Sequence, residues 1–189
     1  MSTRKAPMRP DRRPGGMPSG LLSKGQTLTD AIFSPDRVYR YTLNRNADWF
    51  GRETINFVML NPSTADETTD DPTIRRCVGY AKRWGYGALV VTNLFAFRAT
   101  DPKDMKAAVD PIGEENDRYL LEVASDSAAV ICAWGVHGEY RDRGRSVLKI
   151  LEMERIKYLA LRLTKQGHPS HPLYLPSSAN PVAFAPFVA

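Results

Sequence analysis

The chain predicts an α/β fold: a three-layer sandwich with a central, mainly parallel four-stranded sheet and helices on both faces. Three observations carry this. Four apolar runs, 55–60, 88–92, 128–134 and 158–163, read as buried strands. Stretches with apolar residues at helical spacing separate them, and strands alternating with helices assemble into a parallel sheet. Each run stops at polar or small loop residues. In a parallel sheet such loops share one edge, where open α/β folds place their ligands.

In chain order, residues 1–20 are rich in Pro, Gly and Arg without apolar periodicity, so a disordered basic tail is expected ahead of a single domain over 21–189. Val38, Tyr39, Tyr41, Thr42 and Leu43 favour extended structure, and turn formers follow from Asn44 to Asp48. This segment and 55–60 are expected to form an antiparallel pair leading into the sheet. Asp71 can cap a helix that Pro72 opens, with Ile74, Cys77, Val78, Ala81 and Trp84 at helical spacing and Gly85 as its stop. Asp101-Pro102 begins a short helix, Pro111 a longer one through Leu120, Leu121 and Val123, and 144–157 a last one before the fourth strand.

A length of 189 residues fits one ordinary domain, and 42% hydrophobic content suffices for a core. Lys and Arg number 26 against 21 Asp and Glu, a net +5. Most of the excess sits in the tail, where Arg4, Lys5, Arg9, Arg12 and Arg13 face only Asp11. A basic tail either raises nonspecific affinity for nucleic acid through phosphate contacts or simply stays solvated. Cys77 and Cys132 lie inside apolar segments and read as buried reduced thiols, not as a disulfide framework or a cluster site. No apolar stretch nears the roughly eighteen residues of a membrane span, and the basic start has no apolar segment behind it. The expectation is a soluble cytoplasmic protein with no membrane partner, monomeric, and without metal or other cofactor.

The stretch 164–175 draws attention first, because it holds two of the chain's three histidines, His168 and His171, each directly before a proline. Proline fixes its own φ and pushes the preceding residue into extended backbone, so both imidazoles sit on stiff chain. Near neutral pH a fixed imidazole can move a proton or offer an N–H to a developing oxyanion. The loops after the four strands supply Asn61, Asn93, His137 and His168, which topology brings to one edge. Asp66, Glu67, Asp70 and Asp71 form an acidic group that suits either a solvated loop or an ion site, the solvated loop being the expectation, with Asp71 accounted for by helix capping.

The motif series Val58-Met59-Leu60-Asn61-Pro62-Ser63-Thr64-Ala65-Asp66, Thr92-Asn93-Leu94-Phe95-Ala96-Phe97-Arg98, Cys132-Ala133-Trp134-Gly135 and Thr164 to Tyr174 resembles the family called domain of unknown function 1643, over roughly residues 35 to 180. More distantly, the order of motifs resembles the uracil-DNA glycosylase superfamily. Asn61-Pro62 is similar to its water-positioning motif, Asn93 with Thr92 and Arg98 to its base-reading segment, and His168-Pro169-Ser170 to the loop that stabilises the departing base.

That resemblance implies a hydrolase that cleaves an N-glycosidic bond in DNA or a modified base, with nucleic acid or a nucleotide as partner. His168 would stabilise the leaving group, Asn61 would place water, and Asp66 is the nearest carboxylate to assist. Asn93 would read the base, because an amide carries both a donor and an acceptor. Pro62, Ser63, Ser170 and His171 would complete the pocket. Phe95 and Trp134 would stack on a flipped base, and Arg98 and Arg141 would contact phosphates. A noncatalytic nucleotide-binding module, or an enzyme of free small metabolites, would use the same residues.

Overall fold

The structure, a computed structural model, describes residues 30–48, 51–63 and 70–184. The basic tail expected over 1–20 and the carboxylate of Asp66 lie outside them. The described residues form one mixed sheet of seven strands: β1 (Asp30–Phe33), β2 (Arg40–Asn46), β3 (Thr54–Met59), β4 (Ala88–Asn93), β5 (Ala129–Cys132), β6 (Tyr158–Ala160) and β7 (Val182–Ala183), in the order β1-β2-β4-β3-β5-β6-β7. The four apolar runs are its centre, paired parallel as β4·β3, β3·β5 and β5·β6. Antiparallel strands extend both sides, so the four-stranded expectation undercounts the sheet.

The strand β2 corrects a second expectation. It pairs antiparallel with β4, setting Leu43 opposite Val91 and Asn46 opposite Ala88, and not with β3. Both edges of β3 are already taken by β4 and β5. Because β2 runs against the central strands, its first residue, Arg40, lies at the edge where β4 ends.

Four α-helices cover the sheet among the described residues: α1 (Pro72–Arg83), α2 (Pro102–Ala107), α3 (Asn116–Asp126) and α4 (Arg143–Met153). Period-two alternation divides β3 between two cores. Ile55, Phe57 and Met59 pack with Ile74, Cys77, Tyr80 and Ala81 of α1. Val58 joins Met105 of α2, Leu120 and Ala124 of α3, and Val147, Leu148 and Leu151 of α4 on the other face. Each of the Val, Leu, Ile, Phe and Met side chains among them contributes about 1.5–3 kcal/mol by leaving water. Burial pushes the thiols of Cys77 and Cys132 up, and both are free.

Local chemistry sets the helix ends. The Asp71 carboxylate accepts from the Ile74 amide at 2.8 Å, Pro72 fills the first turn, and Gly85 takes a φ of 82° past the end. The helix expected from Pro111 instead begins at Asn116. Asp110 accepts from the amides of Ile112 and Gly113 at 3.0 and 3.2 Å, closing a turn there. Gly113 has a φ of 85°, and a Cβ on it would come within 2.8 Å of the Tyr39 ring. The last helix spans 143–153, and β6 is three residues long, shorter than the run that predicted it.

Candidate functional site

A cleft of about 1110 Å³ opens where β3, β4, β5 and β6 end, and the start of α1 and the first residue of β2 close it. Asn61, Ser63, Asn93, Trp134, Ser170, His171 and His137 all line it. The topology that places loops of parallel strands together thus brings these polar residues from four separate segments to one cleft.

Asn61 is anchored by its amide nitrogen, which donates to the carbonyls of Pro62 at 3.2 Å and Ala99 at 2.8 Å. Two carbonyl acceptors fix which end of the amide is which, so the side-chain oxygen is left for other partners. Pro62 is buried and acts through its backbone, its carbonyl also accepting from the Ala99 amide at 2.9 Å.

Asn93 ends β4 and is 2% exposed, and its side chain makes no hydrogen bond among the described residues. Two side chains hold the backbone of Asn93 and the residue after it. Asn116, at the start of α3, donates to the carbonyls of Asn93 and Leu94 at 3.0 and 3.1 Å. Arg143, at the start of α4, donates from Nε to the Leu94 carbonyl at 2.9 Å and pairs through its terminal nitrogens with Asp117. Nothing local marks Asn116, and Arg143, which in the sequence reads as either a phosphate contact or the solvated start of a helix, is bonded inside the fold.

The histidine stretch folds back as a hairpin. The Thr164 amide donates to the His168 carbonyl at 2.8 Å, the Gly167 amide to the Thr164 carbonyl at 3.0 Å, and Gly167 takes a φ of 82°. Leu163 then faces Pro169, and the Ser170 amide donates to the Arg162 carbonyl at 2.8 Å. The return carries Ser170 and His171 along the cleft wall. His168 stays at the turn: it is 8% exposed, its Nε2 lies 3.5 Å from the Glu139 carboxylate, and it does not line the cleft.

His171 caps a 3₁₀ turn over Pro172–Tyr174, its Nδ1 accepting from the Leu173 amide at 3.3 Å. Burial lowers its pKa below the ordinary 6.5, against an opposing pull from Asp71. An acceptor at Nδ1 means the neutral ring carries its proton on Nε2.

The remaining candidates sit elsewhere. Phe95 is fully buried against Tyr140, and Trp134, though it borders the cleft, is 1% exposed with its indole packed among the α4-side core. A Cβ on Gly138 would meet the Trp134 ring at 2.1 Å, so that glycine is needed for the fit. Neither ring has a face to offer a flipped base. Arg98 donates to the Arg37 carbonyl at 3.0 Å, and Arg141 is exposed above the Tyr140 ring; neither lines the cleft.

Arg40 went unremarked in the sequence because it lies inside an ordinary β-favouring run, between Tyr39 and Tyr41. It is 5% exposed, lines the cleft, and leaves Nε without a hydrogen-bond partner. Burial, then the charge of Arg98, pull its pKa down to about 10 against the attraction of Asp71. Beside the cleft, Arg75, Arg76 and Arg83 of α1 line a second groove of about 590 Å³. Among the described residues no group of three or more His, Cys, Asp or Glu is placed to hold a metal ion, and no helix is long and apolar enough to cross a membrane.

Fold and site together define a mixed α/β protein with a cleft at the carboxyl edge of its parallel strands. The chain belongs to the family described as Protein of unknown function (DUF1643), whose model matches residues 40–173. No curated protein and no solved structure matches it, so the likeness to uracil-DNA glycosylases rests on the sequence motifs.

Proposed function

We propose that this protein is a nucleobase- or nucleotide-directed hydrolase that cleaves an N-glycosidic bond. The observation that carries this is Asn93, an unengaged amide in the cleft wall, held from behind by Asn116 and Arg143. Such an amide suits the paired donor and acceptor of a base edge, and its fixed backbone makes the recognition selective. Asn61 would orient water through its side-chain oxygen. His171, lining the cleft with its proton on Nε2, would donate to the base carbonyl as negative charge develops there; it replaces His168 in this role. The order of the Asn-Pro, Thr-Asn and His-Pro-Ser motifs supports the reading, and Arg75, Arg76 and Arg83 would suit an oligonucleotide backbone.

A second reading, a noncatalytic nucleotide-binding module, has its own support. The one carboxylate lining the cleft among the described residues is Asp71, and it is engaged as the cap of α1. Incubation with oligonucleotides and free nucleotides carrying uracil, mismatched or modified bases, with released base measured by chromatography, separates the two. Hydrolysis predicts release by the wild type, reduced about a hundredfold or more in Asn93→Ala. Ligand binding with no base released from any substrate would favour the module.

A further inference from the structure

Three arginines of this chain are equally buried, each 5% exposed, and two of them are fully engaged. Arg45 pairs with Asp70 at 2.6 Å and donates to the Asn44 carbonyl at 2.8 Å. Arg143 binds the Leu94 carbonyl and Asp117. Arg40, on the same strand as Arg45, has no ion pair or side-chain hydrogen bond to any described residue, and it lines the cleft. A cation taken out of water without a partner is costly, so its place in the fold wants an anion that no described residue supplies.

We propose that Arg40 is the centre of an anion subsite in the cleft and that the anion is the phosphate of a nucleotide. This deepens the function proposed above by naming the charged half of its ligand, and it rests on that reading. The charged side chains lining the cleft are Arg40 within, Arg162 and Lys165 at its exposed rim, and Asp71. Cations therefore exceed anions there. Asp71 does not neutralise Arg40: it forms no ion pair with it, and its carboxylate is held by the Ile74 amide. The guanidinium fork matches two phosphate oxygens, and the two rim cations suit the second charge of a phosphate monoester. Asn93, in the same cleft, is left for the base. Burial leaves Arg40 charged at neutral pH, with its pKa still at about 10.

The test is titration calorimetry on the full chain at constant ionic strength, with inorganic phosphate, deoxyuridine and deoxyuridine 5′-monophosphate as probes. Wild type, Arg40→Met, Arg40→Gln and Asn93→Ala are compared. Phosphate should bind the wild type and weaken at least about tenfold in both Arg40 variants, with Asn93→Ala unchanged. The monophosphate should bind more tightly than phosphate alone, and Asn93→Ala should erase that excess. Absence of phosphate binding to the wild type, or binding that survives in the Arg40 variants, overturns the anion subsite; deoxyuridine binding lost in Asn93→Ala would still uphold base recognition. Phosphate binding through Arg40 with no preference for the nucleotide keeps the subsite and removes the nucleotide reading. The wild-type arms and the two alternative substitutions decide the matter even if one variant does not fold.

Discussion

The wall behind Asn93 and the wall formed by β2 are both polar and both buried, yet they are built on opposite terms. Behind Asn93, Asn116 donates to two carbonyls and Arg143 to one of the same carbonyls and to a carboxylate, and only Asn116 Oδ1 is left without a partner among the described residues. On β2, Arg40 Nε, Thr42 Oγ1 and both side-chain heteroatoms of Asn44 lack partners. A satisfied buried network rigidifies what it touches, whereas an unsatisfied buried group costs stability that the fold must find elsewhere. The first wall is mostly bonded within the fold, and of the second only Arg40 reaches the cleft.

The largest effect should come from breaking the scaffold. Arg143→Met leaves the Leu94 carbonyl without its Nε donor, and it should lower stability by about 3 kcal/mol in urea denaturation. Asp117 can recover solvation, being 48% exposed at its side chain, so Asp117→Asn should cost less. The contrast sharpens at Arg40. Removing an unpaired buried cation in favour of an apolar side chain of similar length should leave stability unchanged or raise it by about 1 kcal/mol. A loss as large as that of Arg143→Met would show that Arg40 is scaffold too.

The smallest effect concerns pH. Burial holds the folded-state pKa of His171 below 6.5, so in the window below that value the unfolded chain binds more protons. Stability should therefore be complete above pH 6.5 and decline as pH falls below it. His171→Asn keeps an acceptor for the Leu173 amide but cannot titrate, so its stability profile should be flatter across that window, as measured by denaturation at several pH values.

Much of this architecture was legible because it is written locally. The apolar runs that became β3 to β6, the Asp71-Pro72 helix start and the Asn residues at strand ends each depend on near neighbours, and parallel pairing then brings Asn61 and Asn93 together. Less legible was the histidine loop. The sequence motifs favour His168, and only the turn closed by Thr164 and Gly167 sends His171 along the cleft and keeps His168 at the turn. The stacking role expected of Phe95 and Trp134 met the same limit, since an aromatic residue beside a strand end is core or surface depending on what packs over it.

The sequence by itself determined the succession of strands and helices, the main capping residue and the edge at which the polar loops gather. Propensity, capping and periodicity act within a few residues, so a linear reading can follow them. The tertiary structure alone decided that β2 lies against β4, that Arg40 enters the cleft, and that Asn116 and Arg143 stand behind Asn93. Those outcomes depend on pairing between distant segments and on a register in which one residue's slip turns a side chain to the other face of the sheet.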